Sequence, residues 1–165
     1  MTANKQLIHN IAIYMRISKE DGDTEESESI TNQRKIILDY IDKNFIYEKY
    51  YEYIDDGISG ATFDRPNFKN MINQLKENNI ELVITKNLAR FGRNYIECGE
   101  YIEEIFPNNR VRYIAILDGI DNYEEKIDND FAPIKSVFNE LYCKETSKSV
   151  KNSKRKKMLE GYYAC

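Results

Sequence analysis

From Leu7 to Leu117 the chain alternates between short apolar segments and amphipathic segments, and this alternation limits the fold more than any other feature. Short runs rich in Ile, Val and Tyr favour strands, whereas apolar residues three or four positions apart favour helices. Strands that alternate with helices are typical of a parallel sheet with right-handed crossovers and helices on both faces. We therefore predict an α/β fold with a parallel-rich sheet flanked by helices. The predicted strands are Leu7–Tyr14, Tyr47–Ile54, Glu81–Thr85 and Val111–Leu117, and the predicted helices are Ile30–Ile41, Pro66–Lys76 and Tyr95–Phe106.

Capping residues and prolines set the expected helix boundaries. Ser29 immediately precedes the first apolar residue of the first helix, so we expect it to cap that helix. Asp64 is expected to cap the second helix, which carries Pro66 in its first turn. Pro107 is expected to end the third helix, because proline cannot donate the hydrogen bond that would extend it.

The C-terminal part of the sequence is helical in pattern and strongly basic. Residues 144–157 hold seven basic residues and one acidic residue, a local charge of +6 in a chain whose net charge is −4. This asymmetry points to a polyanionic partner at this end. We expect one domain over residues 1–141 and the start of a long basic helix, continuing in a longer protein, over 142–165. The residues expected to contact the polyanion are Lys144, Lys148, Lys151, Lys154, Arg155, Lys156 and Lys157.

Several protein classes are excluded. No apolar run approaches the ~20 residues of a membrane-spanning helix, since Arg112 interrupts even Val111–Leu117. His9 and Asn10 interrupt the only stretch that resembles the apolar region of a signal peptide, so we expect a cytoplasmic protein without a membrane partner. Three widely spaced cysteines and one histidine do not form a zinc-type ligand set. We expect no metal site and no cofactor, and we assign the cysteines no role.

Serine and arginine residues follow the predicted strands. Ligand sites in parallel sheets lie beyond the carboxyl ends of the strands, where these loops meet. The first strand continues into Tyr14-Met15-Arg16-Ile17-Ser18, and strand alternation puts Tyr14, Arg16 and Ser18 on one side of the chain. The two later loops add a serine and three arginines, which are Ser59, Arg65, Arg90 and Arg93.

Four arginines that converge on one edge indicate an anionic ligand. Guanidinium groups bind phosphate oxygens in a forked geometry, and an anion between them offsets their mutual repulsion. The chain has no glycine-rich phosphate loop of the nucleotide triphosphatase type, so the obvious nucleophile among these loops is a serine hydroxyl. A serine that attacked a phosphodiester would conserve the ester bond and would need no ATP. The arginines would then take the place of a metal by neutralising the transition state.

These residues resemble the serine recombinases of the resolvase and invertase type. The resemblance covers nearly the whole chain. The spacing between Ser18 and Gln33 and the region 131–163 are most similar to the N-terminal catalytic domains of large serine recombinases of transposon or phage-integrase type. The matching residues are Tyr14, Arg16 and Ser18, Gln33, Asp56-Gly57-x-Ser59-Gly60 with Arg65-Pro66, and Arg90-Phe91-Gly92-Arg93.

The resemblance implies a resolvase-like catalytic fold and a DNA strand transferase. Ser18 would become joined to a DNA 5′ phosphate, and the enzyme would break both strands, exchange them and rejoin them without ATP. The resemblance also implies DNA as the partner, a dimer and a synaptic tetramer in the parent protein, and a basic helix along the DNA backbone. It assigns Arg16, Arg65, Arg90 and Arg93 to the scissile phosphate, with Tyr14, Gln33, Asp56 and Ser59 in support.

Two alternatives remain open at this stage. The family usually has Asp or Ser immediately before the first arginine of Arg-x-Gly-Arg, whereas this chain has Ala89. The chain could therefore be a catalytically impaired domain that only dimerises or binds DNA, unless a neighbour such as Asn87 substitutes. Asp55 or Asp56 could instead accept a phosphoryl group with magnesium, as in a signalling domain, although a role for Asp56 in bracing the loop is favoured.

Overall fold

The computed structural model describes residues 5–17, 29–122 and 155, and the chain divides into two compact units, Met1–Glu124 and Glu125–Cys165. The first unit contains the sheet and the helices discussed below. In the second unit the described residue is Arg155, which is helical and exposed. The remaining residues of the expected basic helix lie outside the described residues.

Five strands form one sheet in the order β2-β1-β3-β4-β5. The first four strands are parallel, and β5 pairs with β4 in the antiparallel direction. The predicted parallel-rich α/β fold is therefore confirmed. The strands are β1 Gln6–Ile17, β2 Phe45–Asp56, β3 Leu82–Thr85, β4 Arg112–Ala115 and β5 Ile120–Asp121. The helices are α1 Ile30–Asn44, α2 Pro66–Glu77, α3 Leu88–Phe91, α4 Tyr95–Glu100, a π-helical turn at Tyr101–Ile105, and α5 Phe106–Asn108.

Alternation along β1 separates two cores. The odd-numbered residues Ile11, Ile13 and Met15 join a fully buried cluster with Ile37 and Ile41 of α1. Truncating one such isoleucine to alanine typically costs about 2–5 kcal/mol. The even-numbered Tyr14 instead contacts Phe68 of α2, edge to face, at a ring-centroid distance of 5.4 Å. The opposite side of β1 thus leads to a second, largely aromatic core.

Both of the first two helices begin at the predicted residue, but the predicted cap is correct only for the first. The Ser29 hydroxyl accepts a hydrogen bond from the Asn32 amide at 3.1 Å, which confirms the predicted cap of α1. The prediction for Asp64 is wrong: the N-cap position of α2 is Arg65, and Asp64 accepts a hydrogen bond from Lys69 Nζ at 2.6 Å. The carboxylate that satisfies the first amides of α2 comes from another element, the end of β2.

The third predicted helix continues through its proline. Pro107 lies within α5, which ends at Asn108, so the expectation that Pro107 ends the helix is wrong. The preceding turn is π-helical, and the Phe106 amide donates to the Tyr101 carbonyl, five residues earlier. Proline lacks an amide hydrogen and its ring crowds the preceding turn, and a wider turn relieves that crowding. The sequence analysis also did not predict α3 and β5. None of the described helices is long and apolar enough to cross a membrane.

Candidate functional site

The strand order places a crevice between the carboxyl ends of β1 and β3. From β1 the chain moves to one side to form β2, then crosses back to form β3 on the other side. Open parallel sheets bind ligands where the order reverses in this way. Arg16 lies at the end of β1, and α3, which carries Arg90, begins three residues after β3. The predicted arginine cluster is therefore located at the reversal point.

Arg16 is held beneath two backbone segments. Its side chain has no exposed surface. Nη1 donates to the Ile58 carbonyl at 2.8 Å, and Nη2 donates to the Ala89 carbonyl at 2.9 Å. A Cβ atom added at Gly60 would lie 2.6 Å from Arg16 Nη2, so the loop backbone rests directly on the guanidinium group. A side chain at position 60 would displace Arg16.

Gln33 fixes the main chain of Arg16. The buried amide of Gln33 accepts a hydrogen bond from Arg16 N at 3.3 Å and donates to Arg16 O at 3.1 Å. Arg90 Nη1 donates to the same Arg16 carbonyl at 3.3 Å. The Gln33 side chain therefore pairs with the main chain near the end of β1 as a neighbouring strand would, and it anchors α1 to the site.

Arg65 occupies an aromatic box. Its side chain is fully buried, with Nη1 donating to the Tyr14 hydroxyl at 2.8 Å and Nη2 donating to the Phe91 carbonyl at 2.7 Å. The guanidinium carbon lies 4.4 Å from the ring centroid of Phe63 and 4.8 Å from that of Phe68. The π-faces attract the cation and replace part of its lost hydration.

A carboxylate from β2 completes this arrangement. Tyr14 donates its hydroxyl hydrogen to Asp55 Oδ2 at 2.9 Å while it accepts from Arg65, so the phenol links the buried cation to a buried anion. Asp55 also accepts from the Asn67 amide at 3.1 Å and the Phe68 amide at 3.0 Å, and thereby caps α2. The pKa of Tyr14 is raised well above its ordinary value, mainly because the phenol is buried, so the hydroxyl stays protonated.

The sequence analysis considered Asp55 only as a possible phosphoryl acceptor and missed its role in bracing the site. The bracing role was assigned to Asp56, but Asp56 is exposed, and its neighbour Asp55 provides the contacts. The signal was present in the strand alternation, because Tyr53 and Asp55 point inward together. Ser59, also expected in support, is partly buried, and its hydroxyl accepts from the Ala61 amide at 3.3 Å.

The short helix α3 joins the two sides of the site. Its N-cap residue, Asn87, accepts a hydrogen bond from the Arg90 amide at 3.2 Å through its side chain. Beyond its C-terminus, the Arg93 amide donates to the Gly60 carbonyl at 2.8 Å. Position 89 contributes through its backbone, since the Ala89 carbonyl receives Arg16. Both predicted arginines of this segment therefore lie beside the loop that covers Arg16.

The cluster concentrates positive charge in a buried place. Burial, followed by the neighbouring Arg93, Arg65 and Arg90 in that order, lowers the pKa of Arg16 to about 10. The Nε atoms of Arg16 and Arg65 are buried and have no hydrogen-bond acceptor within the described residues. A dianionic or monoanionic oxygen ligand would relieve both the repulsion and the missing hydrogen bonds. This chemistry fits a phosphate ester.

Seven of the predicted site residues lie in the cluster or in the loop that covers it, and seven others lie outside the described residues. Hydrogen bonds join Gln33 and Arg90 to the Arg16 main chain, and another joins Arg65 to the Tyr14 hydroxyl. The Arg93 amide is joined to the loop of Ser59 through the Gly60 carbonyl. No group of three or more metal-ligating side chains occurs within the described residues. The predicted residues outside them are Ser18, Lys144, Lys148, Lys151, Lys154, Lys156 and Lys157.

Comparison with known families gives one match. The model of the family described as "Resolvase, N terminal domain" matches residues 11–163. No curated protein matches the sequence significantly.

The solved structures of similar fold include recombinases and the catalytic domains of recombinases. The N-terminal catalytic domain of TP901-1 integrase has a TM-score of 0.63 and 24% identity, over 82% of this chain and 97% of that one. A resolvase family site-specific recombinase from Streptococcus pneumoniae has a TM-score of 0.53 and 22% identity, over 93% and 95%. The C-terminal catalytic domain of ISC1926 TnpA, an IS607-like serine recombinase, has a TM-score of 0.52 and 23% identity, over 64% and 69%. These similarities confirm the predicted resolvase-like fold.

Proposed function

The chain belongs to the resolvase N-terminal domain family, and on that premise we propose that it is the catalytic domain of a serine site-specific recombinase. Its substrate is a DNA phosphodiester, and its parent protein is of the large transposon or integrase type. The observation that carries the proposal is the cluster of buried guanidinium groups at the reversal point of the sheet. One member of the cluster, Arg16, is two residues before Ser18 in the chain.

The proposed reaction is a transfer of the phosphoryl ester from DNA to protein. The Ser18 hydroxyl oxygen attacks the scissile phosphorus and loses its proton. The bond from phosphorus to the 3′ oxygen breaks, and that oxygen takes up a proton. The products are a 5′-phosphoserine link and a free 3′ hydroxyl, so the ester bond is conserved and ATP is not required. Attack by a 3′ hydroxyl of a partner strand reverses the step and rejoins the DNA.

The arginines would act by electrostatic stabilisation. Arg16, Arg65, Arg90 and Arg93 present donors to the non-bridging oxygens, where charge increases as the five-coordinate phosphorus forms. Arg16 and Arg65 have no exposed surface in the free chain. The scissile phosphate would therefore reach them only after the covering loop, residues 57–62, moves. Anion binding would supply the driving force, since it offsets the burial of the charge and the repulsion from neighbouring arginines, which together lower the pKa of Arg16.

DNA binding would extend beyond the scissile phosphate. The basic residues between Lys144 and Lys157 are proposed to follow the phosphate backbone from a long helix that begins near residue 142. About five phosphate contacts give a DNA affinity that falls with salt and depends little on sequence. Catalysis in the parent protein is proposed to take place in a dimer that pairs into a synaptic tetramer.

Contacts within the site argue against Asp55 as a phosphoryl acceptor and against loss of the arginine cluster through Ala89. Both oxygens of Asp55 accept hydrogen bonds, from Tyr14 and from the first amides of α2, and the side chain is 1% exposed, so it is not placed to accept a phosphoryl group. The absence of a polar side chain at Ala89 leaves the cluster assembled, because the backbone at that position holds Arg16 and Asn87 caps the turn.

A suicide substrate tests the proposal. The 165-residue chain is mixed with a library of randomised DNA duplexes that carry a nick close to the centre, so that cleavage releases a short fragment and traps the adduct. The unsubstituted chain should form an adduct that resists denaturation, and Ser18→Ala should form none while binding DNA equally well. Ser29→Ala, which removes the cap of α1, is the control and should retain the adduct. No adduct from the unsubstituted chain, or an adduct from Ser18→Ala, would refute the proposal.

A further inference from the structure

We propose that Asp118, in the turn between β4 and β5, is a positioning residue that sets α3 and through it all four arginines of the site. Asp118 Oδ2 accepts a hydrogen bond from the Leu88 amide, the first amide of α3, at 2.5 Å. The role in catalysis rests on the proposed function, whereas the role in holding the cluster does not.

The need for this carboxylate follows from the sequence of α3. A helix begins with amides that have no partner within the helix, and an acidic group near them is stabilising. The helix is only four residues long, Leu88–Phe91, and has no acidic residue in its first turn. Asn87 satisfies the Arg90 amide, which leaves the Leu88 amide for another acceptor. Asp118 supplies that acceptor from a different strand.

The turn that carries Asp118 is itself fixed against the end of β3. The Ile116 amide donates to the Thr85 carbonyl at 3.1 Å, and the Leu117 amide donates to the Lys86 carbonyl at 2.9 Å. Gly119 has a φ of +65°, in the region that glycine adopts without strain, and it lets the chain return as β5. The short hairpin thus presents the carboxylate from a rigid base.

The position of α3 affects the arginines of the site because each of them either belongs to this segment or donates a hydrogen bond to one of its carbonyls. The Ala89 carbonyl receives Arg16, and the Phe91 carbonyl receives Arg65. Arg90 extends from the helix itself to the Arg16 carbonyl. A shift of α3 would therefore move two arginines that belong to this segment and release two that bond to its carbonyls. Misplacement of catalytic groups by about 1 Å can reduce a rate by roughly 100-fold.

The rate of adduct formation tests the catalytic part. On the nicked duplex library at saturating DNA, Asp118→Ala should form the Ser18 adduct roughly 10- to 100-fold more slowly with DNA affinity unchanged. Asp118→Asn keeps an acceptor oxygen and should restore the rate to within a few-fold. Asp121→Ala is the matched control, since Asp121 lies in the same hairpin but pairs with Arg112. Rates are compared at temperatures where each variant is folded. A rate for Asp118→Ala equal to that of the unsubstituted chain, or no recovery in Asp118→Asn, would overturn the assignment.

Amide hydrogen exchange tests the positioning part without activity. A purely local role would speed exchange only at the Leu88 amide. Positioning of the cluster requires Asp118→Ala to speed exchange also at Gly92 and Arg93, whose amides donate to Leu88 O and Gly60 O at 2.8 Å each. Unchanged protection of Gly92 and Arg93 would overturn the inference. If the unsubstituted chain forms no adduct, the proposed function fails, and the exchange result still decides the role of Asp118.

Discussion

Replacement of Tyr14 by phenylalanine removes the hydroxyl that links Arg65 to Asp55. The hydroxyl donates to Asp55 Oδ2 at 2.9 Å and accepts from Arg65 Nη1 at 2.8 Å. Tyr14 and Arg65 are 0% exposed and Asp55 is 1% exposed, so water does not replace the lost partner. Each hydrogen bond to a charged group contributes about 1.5–3 kcal/mol, and breaking a buried charge link costs about 3–5 kcal/mol.

We therefore expect Tyr14→Phe to lower the free energy of unfolding by about 3–5 kcal/mol. The matched control is Tyr53→Phe. Tyr53 is the register partner of Tyr14 in the β1–β2 ladder, and its hydroxyl donates to the neutral Gln74 side chain at 3.0 Å. Loss of this bond should cost only about 1 kcal/mol.

Urea denaturation followed by circular dichroism measures both variants against the unsubstituted chain. The midpoint should fall with an unchanged slope, because the amount of surface exposed on unfolding is the same. Equal costs for Tyr14→Phe and Tyr53→Phe would refute the reasoning, since the phenol would then not mediate a charge link between Asp55 and Arg65.

Three further predictions follow from the described residues. Gly60→Ala should displace Arg16 and destabilise the fold by about 2–3 kcal/mol, because the new Cβ would lie 2.6 Å from Arg16 Nη2. Gly99→Ala, whose new Cβ would meet no atom within 4 Å, should not destabilise the fold, and equal urea midpoints for the two variants would contradict the prediction. Burial and the neighbouring arginines lower the pKa of Arg16 to about 10, so the penalty for burying its charge is present at neutral pH and declines as the pH rises through that value. The free energy of unfolding of the unsubstituted chain should therefore rise relative to that of Arg16→Met between pH 9 and pH 10.5 in urea titrations. A constant difference between the two free energies would contradict a penalty for burying the charge of Arg16. Arg110 has a φ of +58°, so Arg110→Gly should stabilise the chain by about 0.5–1 kcal/mol in the same assay, and a loss of stability would show that its side chain matters more than its backbone.

The sequence was sufficient for the fold and for the convergence of the arginines. The order of periodic segments predicted the sheet, and Ser29 marked the start of α1. Arg16 lies at the carboxyl end of β1, and Arg65 and Arg90 follow β2 and β3. The carboxyl ends of parallel strands share one edge, so the meeting of these arginines required no knowledge of packing.

The partners of these arginines required the three-dimensional structure. Asp64 and Asp55 are both near α2, but only the twist and register of β2 bring Asp55 to the Asn67 and Phe68 amides. Asp118 is 30 residues from the helix that it caps, a separation that local sequence patterns do not report. The full burial of Arg16 depends on the approach of a loop backbone at Gly60.

Mass spectrometry of the trapped protein–DNA adduct identifies the nucleophile and the DNA end that it holds. Digestion with protease and nuclease leaves a peptide that bears the linking nucleotide, and fragmentation identifies the modified side chain and the end of the DNA to which it is attached. We expect one modified residue, Ser18, joined through a 5′ phosphate, with a free 3′ hydroxyl on the released strand. A link to any other residue, or a link through a 3′ phosphate, would contradict it.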